Sequence, residues 1–179
     1  MKKENGLSRG VKVIARTDRS SVTTPIVPLM TSFAPVQPPR TPAEWAAYYQ
    51  LRYAVLRQPW QQPLGSEHLP DDNDAGVQHA LIYDTATSAA LAVGRLHTAA
   101  PGQGQVRMVA VAAAAQGQGQ GRQLMEYLEQ QARQTGLTEI VLHARHNAVP
   151  FYLQLGYALG EASYTLFGAI PHFLMRKQL

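Results

Sequence analysis

Gln116-Gly117-Gln118-Gly119-Gln120-Gly121-Arg122 places three glycines at alternate positions within seven residues. Glycine lets a backbone turn tightly and come close to a ligand. The segment follows a predicted strand and opens a predicted amphipathic helix. A helix's first turn has unpaired N–H groups and the positive end of the helix dipole, so such a loop suits an anion, and a pyrophosphate fits it well. A tight strand-to-helix turn with no ligand is the alternative. Spacing removes two rival nucleotide loops. In G-x-G-x-x-G the third glycine after Gly117 and Gly119 would fall on Arg122, and a Walker loop needs Gly-Lys before Ser or Thr, which does not occur. What is present is Q-x-x-G-x-G, at Gln116, Gly119 and Gly121.

Side chains able to move protons lie on both sides of this loop. Tyr152 follows Phe151 in a predicted short helix and reads as a core aromatic. Glu67, Asp71, Asp72 and Asp74 crowd a polar loop, which is either solvated or the lining of a pocket for a cationic substrate. His143 and His146 flank Arg145, and Glu161 and His172 come later. The six histidines have no metal-ligand spacing, so no metal is expected. The chain has no cysteine, which excludes disulfides, thiolate sites and cysteine nucleophiles and fits a reducing compartment.

The elements that must position these residues emerge from periodicity and punctuation. Thr41-Pro42 opens a helix in which Trp45, Tyr48, Tyr49, Arg52, Tyr53 and Leu56 recur at helical spacing, and Pro59 ends it. Strands are predicted over 80–83 and 89–96 as a hairpin, and over 105–111. A helix comes next over 119–135 with Leu124, Met125, Leu128 and Ala132 on one face and Gly136 as its left-handed cap. A strand over 140–143, a helix over 149–155 and two closing strands near 157–167 and 171–177 complete an α+β pattern with one mixed sheet.

Charge is unevenly spread. Residues 1–40 hold seven basic and two acidic residues, a net +5, whereas the rest holds nine and ten, a net −1. The +4 of the whole chain therefore gives no basic surface to the domain, and no nucleic-acid partner is expected. Six prolines from Pro25 to Pro42 mark a linker, with a short strand expected around 32–36. The basic leader reads as a disordered terminus, with Met30 an alternative start, or as a transit peptide. No apolar run is long enough to span a membrane, so a cytoplasmic protein is expected.

Met108-Val109-Ala110-Val111, four residues, Q-x-x-G-x-G and an amphipathic helix together resemble the coenzyme A motif of the GNAT superfamily. Asn147-Ala148 with Phe151-Tyr152-Leu153-Gln154-Leu155-Gly156-Tyr157 resembles that family's N-A-x-x-F-Y-x-x-x-G-F motif, with Tyr157 in place of the usual Phe. Ile170-Pro171-His172 with Met175, and Leu51 to Leu56, resemble the closing strand and first helix of a small bacterial subgroup. The resemblance implies a GNAT (acyl-CoA N-acyltransferase) fold, a mixed central β-sheet with helices on both faces, over 41–179 after the leader 1–40.

The resemblance also implies acetyl-CoA as cosubstrate. Val109, Ala110, Val111, the loop residues Gln116, Gly117, Gln118, Gly119, Gln120, Gly121 and Arg122, and Asn147 would hold it. Val109 and Val111 would pair with pantetheine as if it were an added strand, and a backbone N–H there would polarise the thioester carbonyl. Tyr152 is the implied acid for the departing thiolate. Candidates for the base are Glu67, Asp71, Asp72, His143, Glu161 and His172, with His172, just after Pro171, the first choice. The expected activity is N-acetyl transfer to a primary amine of a small molecule. Transfer to a protein lysine or N-terminus, and a non-catalytic acyl-CoA sensor, stay open as alternatives, as does a homodimer.

Overall fold

The computed structural model describes residues 35–179; expectations for residues 1–34 lie outside the described residues. The first helix starts where Thr41 and Glu44 cap each other. Glu44 N–H donates to Thr41 Oγ1 at 3.2 Å, and Glu44 Oε2 accepts from Thr41 N–H at 2.8 Å. This reciprocal box satisfies two orphan donors, and Pro42 sits at the first helical position. Helix α1, Pro42–Leu56, buries Ala47, Tyr48, Leu51, Arg52 and Leu56. Folded contacts begin before residue 41. Gln37 exchanges backbone hydrogen bonds with Leu81 at 3.0 and 2.8 Å, so the pairing falls just past the 32–36 stretch where a strand is expected.

Beyond α1 come six strands: β1 Gln78–Asp84, β2 Ala89–Ala100, β3 Gln103–Val111, β4 Glu139–Arg145, β5 Ala158–Leu166 and β6 Ile170–Gln178. They form one sheet in the order β1-β2-β3-β4-β6-β5. All neighbours are antiparallel except β3 and β4, which are joined by helix α2, Gln120–Gln134. A parallel pair needs such a crossover, which is why the glycine loop lies between a strand end and a helix start. Helix α3, Val149–Gln154, leads from β4 to β5.

The two faces of the sheet have separate cores. On one, Leu124, Met125, Leu128 and Ala132 of α2 pack on Ile82, Leu96, Val106, Ile140 and Leu142, with Tyr152 and Met175 joining them. On the other, Ala47, Tyr48, Leu51 and Leu56 of α1 pack on Leu81, Val93 and Ala110. Gly136, with φ of 79°, ends α2 as its position predicts. The sheet is thus covered by a helix on each side, and its centre lies at β3 and β4.

Candidate functional site

Strand β3 leaves its neighbour because of one residue. Met108 has φ of 56°, and the register against β2 slips so that Val93 faces Ala110 while Arg95 faces Arg107. An extra residue in one strand bends it and re-aims the residues beyond the bulge. A left-handed non-glycine residue costs about 1–3 kcal/mol and persists where its surroundings over-determine it. Pairing of β3 with β4 stops at Val106 and Leu142, and a cleft of about 620 Å³ lies between the strands past that point. That volume is within the ~300–1,000 Å³ common for small-molecule sites. Ala112 N–H bonds to Leu91 O at 2.8 Å. Alternation along an antiparallel strand therefore turns the backbone groups of Val109 and Val111 toward the cleft.

The glycine loop closes one end. Gly117 and Gly119 have φ of 73° and 90°, and a Cβ on either would meet nothing within 4 Å. The dihedral, not crowding, requires glycine at both. The glutamines brace the loop from within. Gln116 Nε2 donates to Val111 O at 3.3 Å and Gln118 Nε2 to Ala114 O at 2.6 Å. The buried Gln120 turns its amide nitrogen to Ala115 O at 2.8 Å and Gln118 O at 3.2 Å. Gln116, Gly117, Gly119, Gly121 and Arg122 line the cleft, whereas Gln118 and Gln120 frame the loop. No side chain caps the first turn of α2. An anion at a helix start needs backbone donors without a competing cap, and the uncapped first turn of α2 leaves no side chain competing for them.

Tyr152, His172 and Asn147 line the same cleft as the loop. Tyr152 is 7% exposed, and burial pushes its phenol well above the ordinary value, with Arg145 nearby opposing this. His172 lies opposite Arg145 in the β4–β6 ladder, so the two side chains share a face. Its Nδ1 lies 2.9 Å from Ile170 O. A carbonyl only accepts, so Nδ1 donates and Nε2 of the neutral ring is left with a free lone pair. The ring stacks on Tyr164 at 4.8 Å. Burial lowers the His172 pKa; the Ile170 carbonyl opposes that, and Arg145 adds to it. A neutral imidazole is the form that can take up a proton. His143 also lines the cleft, with Nδ1 2.6 Å from Ser163 Oγ.

Residues 62–179 match the model of the acetyltransferase (GNAT) domain. The chain belongs to the GNAT acetyltransferase family. It is thereby an acyltransferase of a family that uses acyl-CoA. A Bacillus subtilis (strain 168) protein that bears an acetyltransferase name provisionally is 29% identical over 133 residues, 73% of this chain and 86% of its own length. The crystal structure of a Lactobacillus plantarum chain, provisionally an N-acetyltransferase, superposes with a TM-score of 0.69 at 29% identity, covering 80% of this chain and 97% of that one. That of an acyl-CoA N-acyltransferase from Pseudomonas aeruginosa gives 0.67 at 28% identity, covering 79% and 96%. The mixed sheet with helices on both faces is the architecture these structures share.

In this GNAT domain the acidic loop does something other than either expectation. Asp72 is buried between Arg52 and Arg95, at 2.8 Å and 2.7 Å, and Arg95 also grips Asp71 at 2.9 and 2.6 Å. Arg52 in turn donates to Tyr48 Oη at 2.6 Å, and His79 Nε2 donates to Asp72 O at 2.8 Å. Burial raises the Asp72 pKa, but the Leu69 N–H and the two guanidiniums outweigh it and hold it below its ordinary value. Hydrogen bonding to Arg95 brings Asp71 down to about 2. Glu67 is buried and accepts from Gly65 N–H at 2.8 Å. Glu67, Asp71 and Asp72 do not line the cleft, so they form no cation pocket there; Glu67 and Asp72 are buried and Asp71 is half-buried against Arg95, whereas Asp74 is exposed.

Sequence reasoning missed three of the cleft's four arginines, Arg57, Arg107 and Arg145. A signal existed for one of them. Arg107 interrupts the run of β3, and a charge within a strand marks a face that is not core.

Proposed function

We propose that this chain is an N-acetyltransferase that moves the acetyl group of acetyl-CoA to a primary amine of a small molecule, in the cytoplasm. One observation carries the reading: a single cleft joins the uncapped start of α2, the strand edge at Val109 and Val111, and the pair Tyr152 and His172. In this reading the N–H groups of the loop from Gln116 to Arg122 hold the pyrophosphate. Val109, Ala110 and Val111 supply a strand edge for pantetheine, and Asn147 meets its amides from the other wall.

The thioester supplies an acetyl group already activated for attack. His172 Nε2 takes one proton from the acceptor ammonium, directly or through a water, and passes it to solvent. The freed amine attacks the acetyl carbonyl, with a backbone N–H of β3 donating to the oxygen as it gains charge. The C–N bond forms, the C–S bond breaks, and the second proton lost by nitrogen ends on sulfur. Tyr152 donates a hydrogen bond to the departing thiolate. Free thiol and a product heavier by one acetyl group, measured together across an amine panel, test the proposal. Tight acetyl-CoA binding with no acetylated amine would refute it and leave the sensor reading in its place.

A further inference from the structure

The cleft's lining has no aspartate or glutamate, yet it includes Arg57, Arg107 and Arg145. None of the three belongs to the glycine loop. Val106 and Leu142 face α2, so Arg107, His143 and Arg145, at odd steps along β3 and β4, face the α1 side. His172 shares that face through its pairing with Arg145.

None of the three arginines forms an ion pair among the described residues. They are positioned by other means. Arg57 Nε donates to Ser66 O at 2.8 Å and its Nη1 to Leu56 O at 3.2 Å, with the guanidinium 5.6 Å from the Phe167 ring. Arg145 lies 5.9 Å from the Trp60 ring. Arg107 is exposed. The carboxylates nearest this wall are committed elsewhere, Asp71 to Arg95 and Glu67 to the Gly65 N–H. Burial lowers the Arg57 pKa, and Arg145, Arg52 and Arg107 lower it further, with Glu67 opposing them. Holding several like charges together is unfavourable, and a bound anion relieves it.

We infer that the acceptor is an amine that also carries an anionic group, a carboxylate or a phosphate, bound by Arg57, Arg107 and Arg145 beside His172. The inference rests on the acetyltransferase reading and narrows its substrate class. It replaces the cationic-substrate pocket that the acidic loop first suggested. Reaction occurs at the amine alone: the anion stays bound to guanidinium while the C–N bond forms and the C–S bond breaks.

The test compares matched pairs. Amino acids and dipeptides are set against their C-terminal amides, phosphoethanolamine against ethanolamine, and a linear diamine stands for the cationic class. With acetyl-CoA saturating, the anionic member of each favoured pair should show kcat/KM about ten- to a hundredfold above its neutral partner, the worth of one charge-assisted hydrogen-bond set. The carboxylate and phosphate arms identify which anion is meant. Calorimetry of the same probes with coenzyme A present should show the same preference in Kd. Arg107→Gln, at an exposed position that does not put the fold at risk, and Arg145→Gln should each collapse the anion-to-neutral ratio. Preference for neutral or cationic amines, or a ratio unmoved by both substitutions, overturns the inference and leaves acetyl transfer standing. Transfer to no amine overturns the acetyltransferase reading, and this inference with it.

Discussion

Replacing Tyr152 by Phe removes one hydroxyl from the cleft wall and keeps a ring that packs against Phe151 and Tyr157, with centroids at 4.9 and 5.8 Å. The size of the effect depends on what the phenol does. An ordinary phenol near ~10 and thiol near ~8.5 make full proton transfer to the thiolate uphill by about 2 kcal/mol, and burial of Tyr152 makes it steeper. The hydroxyl therefore serves as a hydrogen-bond donor to developing charge, which is worth about 1.5–3 kcal/mol. That is about ten- to 150-fold in kcat. Burial and the Arg145 charge alone shift this phenol, with no hydrogen bond contributing, so the fold loses no bond and stability should change by less than about 1 kcal/mol. Single-turnover rate, acetyl-CoA Kd and urea midpoint on one preparation separate these quantities. An unchanged chemical step would remove Tyr152 from the reaction. Parallel losses of folding and rate would make it a core aromatic only.

Three more outcomes are expected. Gly119→Glu introduces a side chain at a φ of 90° and a negative charge at the uncapped start of α2, so calorimetry should show coenzyme binding lost in a folded protein; intact affinity would refute the loop's role. Asp72→Asn leaves the fully buried Arg52 without its counter-charge, a loss of about 3–5 kcal/mol and about 6–20 °C in Tm, and a loss below about 1 kcal/mol by urea titration would show that the network is dispensable. With its pKa lowered in the fold, His172 is neutral at and above its ordinary value of ~6.5. The acidic limb of kcat/KM should therefore fall below pH ~6.5 and be flattened by His172→Gln, whereas a limb above pH ~7 would point to another base.

The strand-loop-helix unit at one end of the cleft was legible because its signals are local. Alternating glycines, a helical stripe from Leu124 to Ala132 and a C-terminal glycine at Gly136 all lie within one strand-loop-helix unit, where spacing alone determines conformation. Thr41-Pro42 opened α1 for the same reason, although Glu44 as its reciprocal cap was not picked out. The rest of the cleft was not legible because it depends on contacts distant in sequence. Met108 has no turn residue to announce its left-handed backbone; the bulge is imposed by β2 on one side and α1 on the other. Asp72 meets Arg52 and Arg95 from 20 and 23 residues away, so two acids of a run that looked solvated are held in ion pairs. The insertion of β6 between β4 and β5 brings His172 beside Arg145, a neighbour that no local pattern identifies.

The early end of β3–β4 pairing has a consequence for the life of the protein beyond its chemistry. Val109 and Val111 present backbone donors and acceptors in the middle of a sheet, where a neighbouring strand would normally be. On the proposed reading, a metabolite supplies that neighbour. Part of the folding free energy then belongs to the coenzyme, growing with the logarithm of its concentration and reaching about 2.7 kcal/mol at a hundredfold excess over Kd. An unguarded strand edge also invites pairing with another chain. Coenzyme supply would thus act as a chaperone: a cell rich in acetyl-CoA keeps this protein intact, and a depleted one exposes it to aggregation and turnover.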